Sequence, residues 1–222
     1  MTRTGASARP LAADDPEGWL DWVRLNGRPL LVGLIVAGAL ALGVLGYRAS
    51  QRAGAAKAEQ ALARAELALG SENPQLARAD LERVVNTHEG TGAATTAAML
   101  LAQLHYDAGR YQDGVNVLGR AAGWGASRPS QAAILALTAD GLESMGRHAD
   151  AARRYEDAAE ATRFTNERAQ YLASAARAKR AAGDAPGALR VWEELARDPQ
   201  SPLAPEARLR VGELSATPVT RR

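Results

Sequence analysis

Histidine is the side chain here best suited to acid–base chemistry or metal binding, and the chain has only three, at His88, His105 and His148. No two of them have the spacing of a metal-ligand pair, and there is no cysteine to complete a zinc site. A nucleophile elbow, a glycine-rich phosphate loop and a His-Glu-x-x-His motif are all missing from the sequence. The residues therefore argue against an enzyme and predict no cofactor or metal.

The charged residues favour a soluble surface over a site for nucleic acid. Charged residues make up 23% of the chain, yet the formal net charge is only +2. Arginine alternates with Asp and Glu, and no Lys/Arg block forms a phosphate-binding stripe. The pairs Arg153-Arg154 and Glu193-Glu194 are explained by solvated helix faces. We expect neither nucleic acid nor a small-molecule substrate as a partner.

A repeat dominates the second half of the sequence. Gly109, Gly146 and Gly183 recur every 37 residues, each inside a polar turn. The same period holds for three further sets of residues. Seven residues before each glycine lies an alanine: Ala102, Ala139 and Ala176. Five residues after it lies a small residue, and nine residues after it a large one: Gly114, Ala151 and Ala188; Leu118, Tyr155 and Trp192.

This pattern predicts helical hairpins in which the glycine ends the first helix and the small residues allow the two helices to approach closely. It resembles tetratricopeptide repeats, whose usual period is about 34 residues. An earlier unit is marked by Ala65, Ala77, Leu81 and Val84. We predict an all-α tetratricopeptide-repeat α-solenoid over residues 48–216, with about four helical hairpins and a closing helix over 203–215.

The first helices of such hairpins line a concave face, which is the expected protein-binding surface. Counting in the repeat register places these residues on it: Met99, Gln103, Tyr106, Asp107, Ala136, Asp140, Glu143, Ala173, Arg177 and Arg180. The face runs from acidic to basic along the array. Simple solvation of that face is the alternative explanation. Trp124, in the link between two hairpins, is either a plug between repeats or an exposed anchor for a partner.

An apolar segment precedes the repeats. Residues 29–47 carry no charge across nineteen positions, so a helix here is roughly 28 Å long, close to a bilayer's hydrocarbon thickness. This predicts an N-terminal transmembrane helix; a cleaved signal peptide is the alternative. Arginines flank both ends, so charge does not decide its orientation. Gly33, Ala37 and Ala41 share one face and predict close packing against another membrane helix.

The ends of the chain complete the domain prediction. Residues 1–28 form a tail containing a short helix with Trp19 and Trp22 on one face, which indicates an anchor in the membrane interface. Residues 217–222 are predicted to be a disordered C-terminal tail.

The segment from Leu25-Asn26-Gly27-Arg28 through Leu31-Val32-Gly33 to Tyr47-Arg48, together with the Gly123-Trp124 link, resembles the bacterial ancillary subunit family of the Sec translocon. The resemblance implies a non-enzymatic scaffold of the inner membrane. Its N-terminus would be cytoplasmic, its repeats periplasmic, and its partners the translocon and periplasmic chaperones or emerging chains. A scaffold for another envelope complex, in cell division or outer-membrane assembly, and an inverted topology with cytoplasmic repeats remain as alternatives.

Overall fold

The computed structural model describes the backbone at residues 27–70 and 73–216, without the side chains at 27–31, 33–36, 46–47 and 49–51. Within these ranges the chain is all α-helical, as predicted. The nine helices are α1 Gly27–Gly70, α2 Pro74–Thr87, α3 Gly92–Asp107, α4 Tyr111–Ala122, α5 Arg128–Ser144, α6 His148–Ala161, α7 Thr165–Ala181, α8 Ala185–Arg197 and α9 Ala204–Ser215. Trp19, Trp22 and the predicted tail at 217–222 lie outside the described residues.

The chain divides into two compact units, residues 1–52 and residues 53–222. In the first unit, α1 exposes a series of apolar side chains: Val32, Leu40, Leu42, Val44 and Leu45. Ala37 and Ala41 are exposed as well, whereas position 33 falls among the side chains that are not described. A search of the described residues finds no helix with the length and apolar character needed to cross a membrane.

The second unit begins without a break in secondary structure, because α1 continues past Arg52 as far as Gly70. The sequence placed a boundary at residue 48, where the apolar segment ends. The residues that follow are rich in Ala, Glu, Arg and Leu, all strong helix formers, and no proline interrupts them before Pro74. The change from apolar to polar residues near residue 48 therefore alters the character of the exposed side chains but does not end the helix.

Consecutive helices pair into antiparallel hairpins. Hairpin 1 consists of α1 beyond Arg52 with α2, hairpin 2 of α3 and α4, hairpin 3 of α5 and α6, and hairpin 4 of α7 and α8, while α9 packs on α8. Several helices start at a capping side chain: Asn73 Oδ1 accepts from the Leu76 amide at 3.1 Å, and Asp184 Oδ1 accepts from the Gly187 amide at 2.9 Å. These caps fix where each link ends.

The turn glycines end the first helices as the sequence predicts. Gly109, Gly146 and Gly183 have φ values of 72°, 73° and 84°, a left-handed conformation that only glycine adopts without strain. In the first turn the Gly109 amide donates to the Tyr106 carbonyl and the Arg110 amide donates to the His105 carbonyl, both at 2.8 Å. The same two bonds recur in the other turns, which is the Schellman arrangement.

The packing also follows the register. The alanines ahead of the turns, Ala102, Ala139 and Ala176, have no exposed surface, and the large residues Leu118, Tyr155 and Trp192 are at most 4% exposed. Two core clusters include residues from more than one hairpin, and a third joins hairpin 4 to α9. Hairpins thus bury their apolar faces mainly against their neighbours, as in a solenoid. Leu209 shares the register of Leu135 and Leu172 but is 61% exposed, because no described helix follows α9.

Candidate protein-interaction surface

The residues predicted for the concave face lie on α3, α5 and α7, but their side chains differ in accessibility. Gln103, Asp107, Asp140, Arg177 and Arg180 are exposed. Met99, Tyr106, Ala136 and Glu143 are half-buried, and Ala173 has no exposed surface. Ala173 is therefore a core residue and cannot contact a partner. The use of the other residues as a binding surface stays a prediction.

Tyr106 joins hairpin 2 to hairpin 3. Its ring lies against Gly114 of α4 and Gly141 of α5, where a Cβ atom on either glycine would overlap the ring. Its hydroxyl donates to the Leu137 carbonyl oxygen at 2.9 Å. Burial raises the pKa of Tyr106, and the nearby charge of Asp140 raises it further. Tyr106 therefore remains a protonated donor at neutral pH, and its main contacts are within the repeat array.

Asp140 and Glu143 share one donor. The buried hydroxyl of Tyr155 lies 2.5 Å from Asp140 Oδ1 and 3.0 Å from Glu143 Oε2. A phenol donates one proton, so two ionised carboxylates cannot both be satisfied by it. Loss of water around its carboxyl group raises the pKa of Asp140 and the charge of Glu143 adds to this, while the hydrogen bond from Tyr155 opposes the rise. The Tyr155 hydroxyl of α6 thus holds the acidic side chains Asp140 and Glu143 of the face in place.

Asp140 should make the stability of the repeats depend on pH. A carboxyl group whose pKa rises on folding stabilises the folded state below its ordinary pKa of 3.8 and loses this contribution as the pH rises through the folded-state value. The Asp140→Asn variant keeps an acceptor for Tyr155 but cannot titrate. Its free energy of unfolding relative to the unmodified chain should therefore increase with pH, measured by urea unfolding between about pH 4 and pH 7.

Asp107→Asn is the control for this measurement, because Asp107 is exposed on the same face and forms no side-chain hydrogen bond among the described residues. A stability difference for Asp140→Asn that stays constant across the pH range would contradict the prediction.

The basic end of the face is held more loosely. Arg177 Nη2 lies 3.2 Å from Ser174 Oγ, and its Nη1 lies 3.9 Å from Glu206 of α9. Both side chains of the Arg177–Glu206 pair are substantially exposed, so the pair contributes little to stability. Arg180 is exposed and has no ion-pair partner in the described part of the chain. Asp107 and Arg180 therefore offer free charges at the two ends of the face.

A family model described as a tetratricopeptide repeat-like domain matches residues 21–170. The chain belongs to the tetratricopeptide repeat-like domain family. A search of curated proteins found no match. Among solved structures, the chain is similar to nearly identical TPR-like repeats from Podosopora anserina that are named for a kinesin light chain, with a TM-score of 0.57 and 17% identity over 72% of this chain and 86% of that one.

A point variant of the same Podosopora anserina repeats gives a TM-score of 0.56 at 17% identity, covering 72% of this chain and 85% of the other. At this level of identity the similarity shows the fold alone. The tetratricopeptide fold serves as a scaffold for binding proteins and is typically not catalytic, which agrees with the expectation from the sequence at this general level.

A large cleft of this tetratricopeptide-repeat protein is lined by none of the residues predicted for the concave face. It has a volume of about 680 Å³ and is lined mainly by α6, with Leu142 of α5, Leu172 of α7 and Val191 of α8 among its apolar residues. Ion pairs flank it, including Arg154–Asp157 at 3.2 Å and Arg168–Glu194 at 3.0 Å. The sequence assigned Arg153-Arg154 and Glu193-Glu194 to solvated helix faces, and their full or partial exposure agrees with this. Nothing in the sequence indicated that three of these residues line a cleft.

Trp124 and the three histidines are the remaining residues that the sequence suggested for binding or for chemistry. Trp124 is half-buried and packs against the core cluster that joins hairpins 1, 2 and 3, the arrangement expected of a plug between tetratricopeptide repeats. His88 follows α2, and His148 is the first residue of α6. No group of His, Cys, Asp and Glu among the described residues could hold a metal ion. His105 is 6% exposed, which the sequence pattern did not indicate.

Proposed function

We propose that this protein is a membrane-anchored, non-enzymatic scaffold of the bacterial inner membrane, in which residues 29–47 form the tether and the repeats recruit other proteins. The charge-free stretch is long enough for a bilayer. The exposed apolar side chains of α1, such as Leu40 and Leu42, support a lipid environment, since large exposed apolar surfaces mark interaction sites. The family match to a tetratricopeptide repeat-like domain supports the other half of the proposal, that the repeats bind proteins.

The proposed partners are the Sec translocon on the membrane side and a periplasmic chaperone or emerging chain on the repeat side. The resemblance of the segment from Leu25 to Arg48 to the ancillary translocon subunits supports this assignment. It implies a cytoplasmic N-terminus and periplasmic repeats. Within the membrane, the small residues Gly33, Ala37 and Ala41 would allow a translocon helix to approach closely.

The tether and its orientation are tested by fractionation and a reporter. The full chain should remain in the membrane pellet after alkaline extraction, whereas a chain lacking residues 29–47 should be released. A reporter that folds only in the periplasm, fused after Arg222, should be active. Activity only from a reporter specific for the cytoplasm would establish the inverted topology instead, and release of the full chain would refute the anchor.

Partner binding is tested by two sets of substitutions. Changing Gly33, Ala37 and Ala41 to Leu should preserve insertion, because Leu is apolar, and should reduce co-purification with the translocon. Reversing the free charges at Asp107 and Arg180 should spare that association and reduce capture of the soluble partner. Reversal of Arg153 and Glu160, which are exposed on α6 without an ion-pair partner among the described residues, is the matched control.

If the unmodified chain co-purifies with another envelope complex and not with the translocon, the specific assignment is wrong and the alternative scaffold function is supported.

A further inference from the structure

The contact between successive hairpins uses different chemistry at each step along the array. One period of 37 residues relates His105, Leu142 and Lys179, which occupy the same position on α3, α5 and α7. Leu142 is buried in an apolar cluster. Lys179 Nζ pairs with Glu156 of the preceding hairpin at 3.1 Å. His105 is buried at the contact of hairpin 2 with hairpin 1.

Charged groups surround His105 from both neighbouring helices. Arg78 and Glu82 of α2, Asp113 of α4 and Arg110, which caps the start of α4, act on it electrostatically. Glu82 occupies the register of Glu156, the partner of Lys179. Arg78 is equivalent to Val115 and Ala152 of the next two hairpins, which are uncharged. Of these three positions, only the one in hairpin 1 therefore carries a positive charge.

Several nitrogen atoms at this contact are buried and have no hydrogen-bond partner among the described residues. They are His105 Nδ1, Arg78 Nε, and Nε and Nη2 of Arg110. One period later, Arg147 is exposed and its Nε and Nη2 donate to Asp150 at 3.0 and 2.8 Å. Arg110 thus differs from its equivalent by burying part of its guanidinium group. The contact already holds two permanent positive charges, and three of its unpartnered atoms are guanidinium donors.

We propose that His105 makes the contact between hairpins 1 and 2 sensitive to acid: a proton on its imidazole adds a third positive charge beside Arg78 and Arg110, and α2 then separates more readily from α3 and α4. The other two contacts lack a histidine at this position, so the effect is confined to the first. Since each hairpin of a solenoid is stabilised by its neighbours, loosening one contact frees the end hairpin before the rest.

The direction of the effect follows from proton linkage. Burial lowers the pKa of His105 below its ordinary value of 6.5, Arg110 and Arg78 lower it further, and Asp113 and Glu82 partly oppose this. The unfolded state therefore binds more protons than the folded state as the pH falls through 6.5 towards the folded-state value. Stability is greatest above this window and decreases with acidification across it.

Hydrogen exchange of the full chain, read peptide by peptide, tests the proposal at about pH 7.5 and pH 5.5. After correction for the intrinsic exchange rate at each pH, protection of α2 relative to α8 should fall severalfold at the lower pH. In His105→Leu, which carries the residue found at the equivalent position 142, this selective loss should disappear. His148→Leu is the matched control, because His148 also has a buried Nδ1 without a partner, and it should retain the loss.

Retention of the selective loss in His105→Leu, or its absence in the unmodified chain, would overturn the proposal. A second measurement does not depend on the folding of that variant: the titration of the His105 imidazole, followed by NMR in the full chain. Its midpoint should lie below those of exposed histidines and should rise in Arg78→Ala, which carries the residue of the equivalent position 152. A midpoint that does not move would show that Arg78 does not act on His105.

Discussion

Replacing Trp192 by Ala should destabilise the repeats by about 3–5 kcal/mol, the usual cost of removing a buried large aromatic side chain. Trp192 is 2% exposed and lies in the cluster that joins hairpin 4 to α9. Many of its neighbours in that cluster are alanines, namely Ala169, Ala173, Ala176 and Ala207. Alanine has no rotamer with which to fill a cavity, so little relaxation is available and the loss should be near the upper end of the range.

Urea unfolding of the full chain measures this change, and Trp124→Ala provides the comparison. Trp124 is also a tryptophan at a contact between hairpins, but it is half-buried in a link. Its removal should cost clearly less than that of Trp192, because water can reach the space it leaves. Equal losses from the two substitutions would mean that Trp192 is not the main contact between hairpin 4 and α9.

The hairpin register could be predicted from the sequence because it depends on backbone geometry. A glycine is needed where φ is positive, as at Gly109 and Gly146. Small residues such as Ala139 and Ala151 are needed where helices approach closely. These requirements act locally and repeat with the period, so a single sequence shows them. The position of the closing helix α9 follows from the same register.

The side-chain contacts across the predicted face could not be read from the register. Tyr106 and Glu143 are equivalent positions, yet one fills a gap between hairpins and the other accepts from Tyr155. The difference arises from Gly114 and Gly141, which leave room for a ring only beside Tyr106. Glycine inside a helix is unfavourable by itself, so Gly141 within α5 was the available signal for this close approach.

A side chain added at Gly141, where the Tyr106 ring lies, tests the contact between hairpins 2 and 3 most directly. In Gly141→Ala the new Cβ would overlap the Tyr106 hydroxyl and lie 2.7 Å from its Cζ and 2.8 Å from Val115 Cγ2. Overpacking of this kind costs about 1–3 kcal/mol. The higher helix propensity of Ala returns up to about 1 kcal/mol. We therefore expect a net loss of about 1–2 kcal/mol in the free energy of unfolding.

Two further variants separate this clash from a general effect of the substitution. Gly119→Ala places a methyl group on an exposed turn of α4 with no atom within 4 Å apart from the helix's own backbone and the two adjacent residues, so it should stabilise the chain by up to about 1 kcal/mol. In a chain that already carries Tyr106→Ala, Gly141→Ala should lose most of its cost, because the ring it strikes is gone. The interaction energy from this double-mutant cycle measures the contact directly. If Gly141→Ala is as favourable as Gly119→Ala, or if its cost is unchanged without the Tyr106 ring, the tyrosine does not join these hairpins as described.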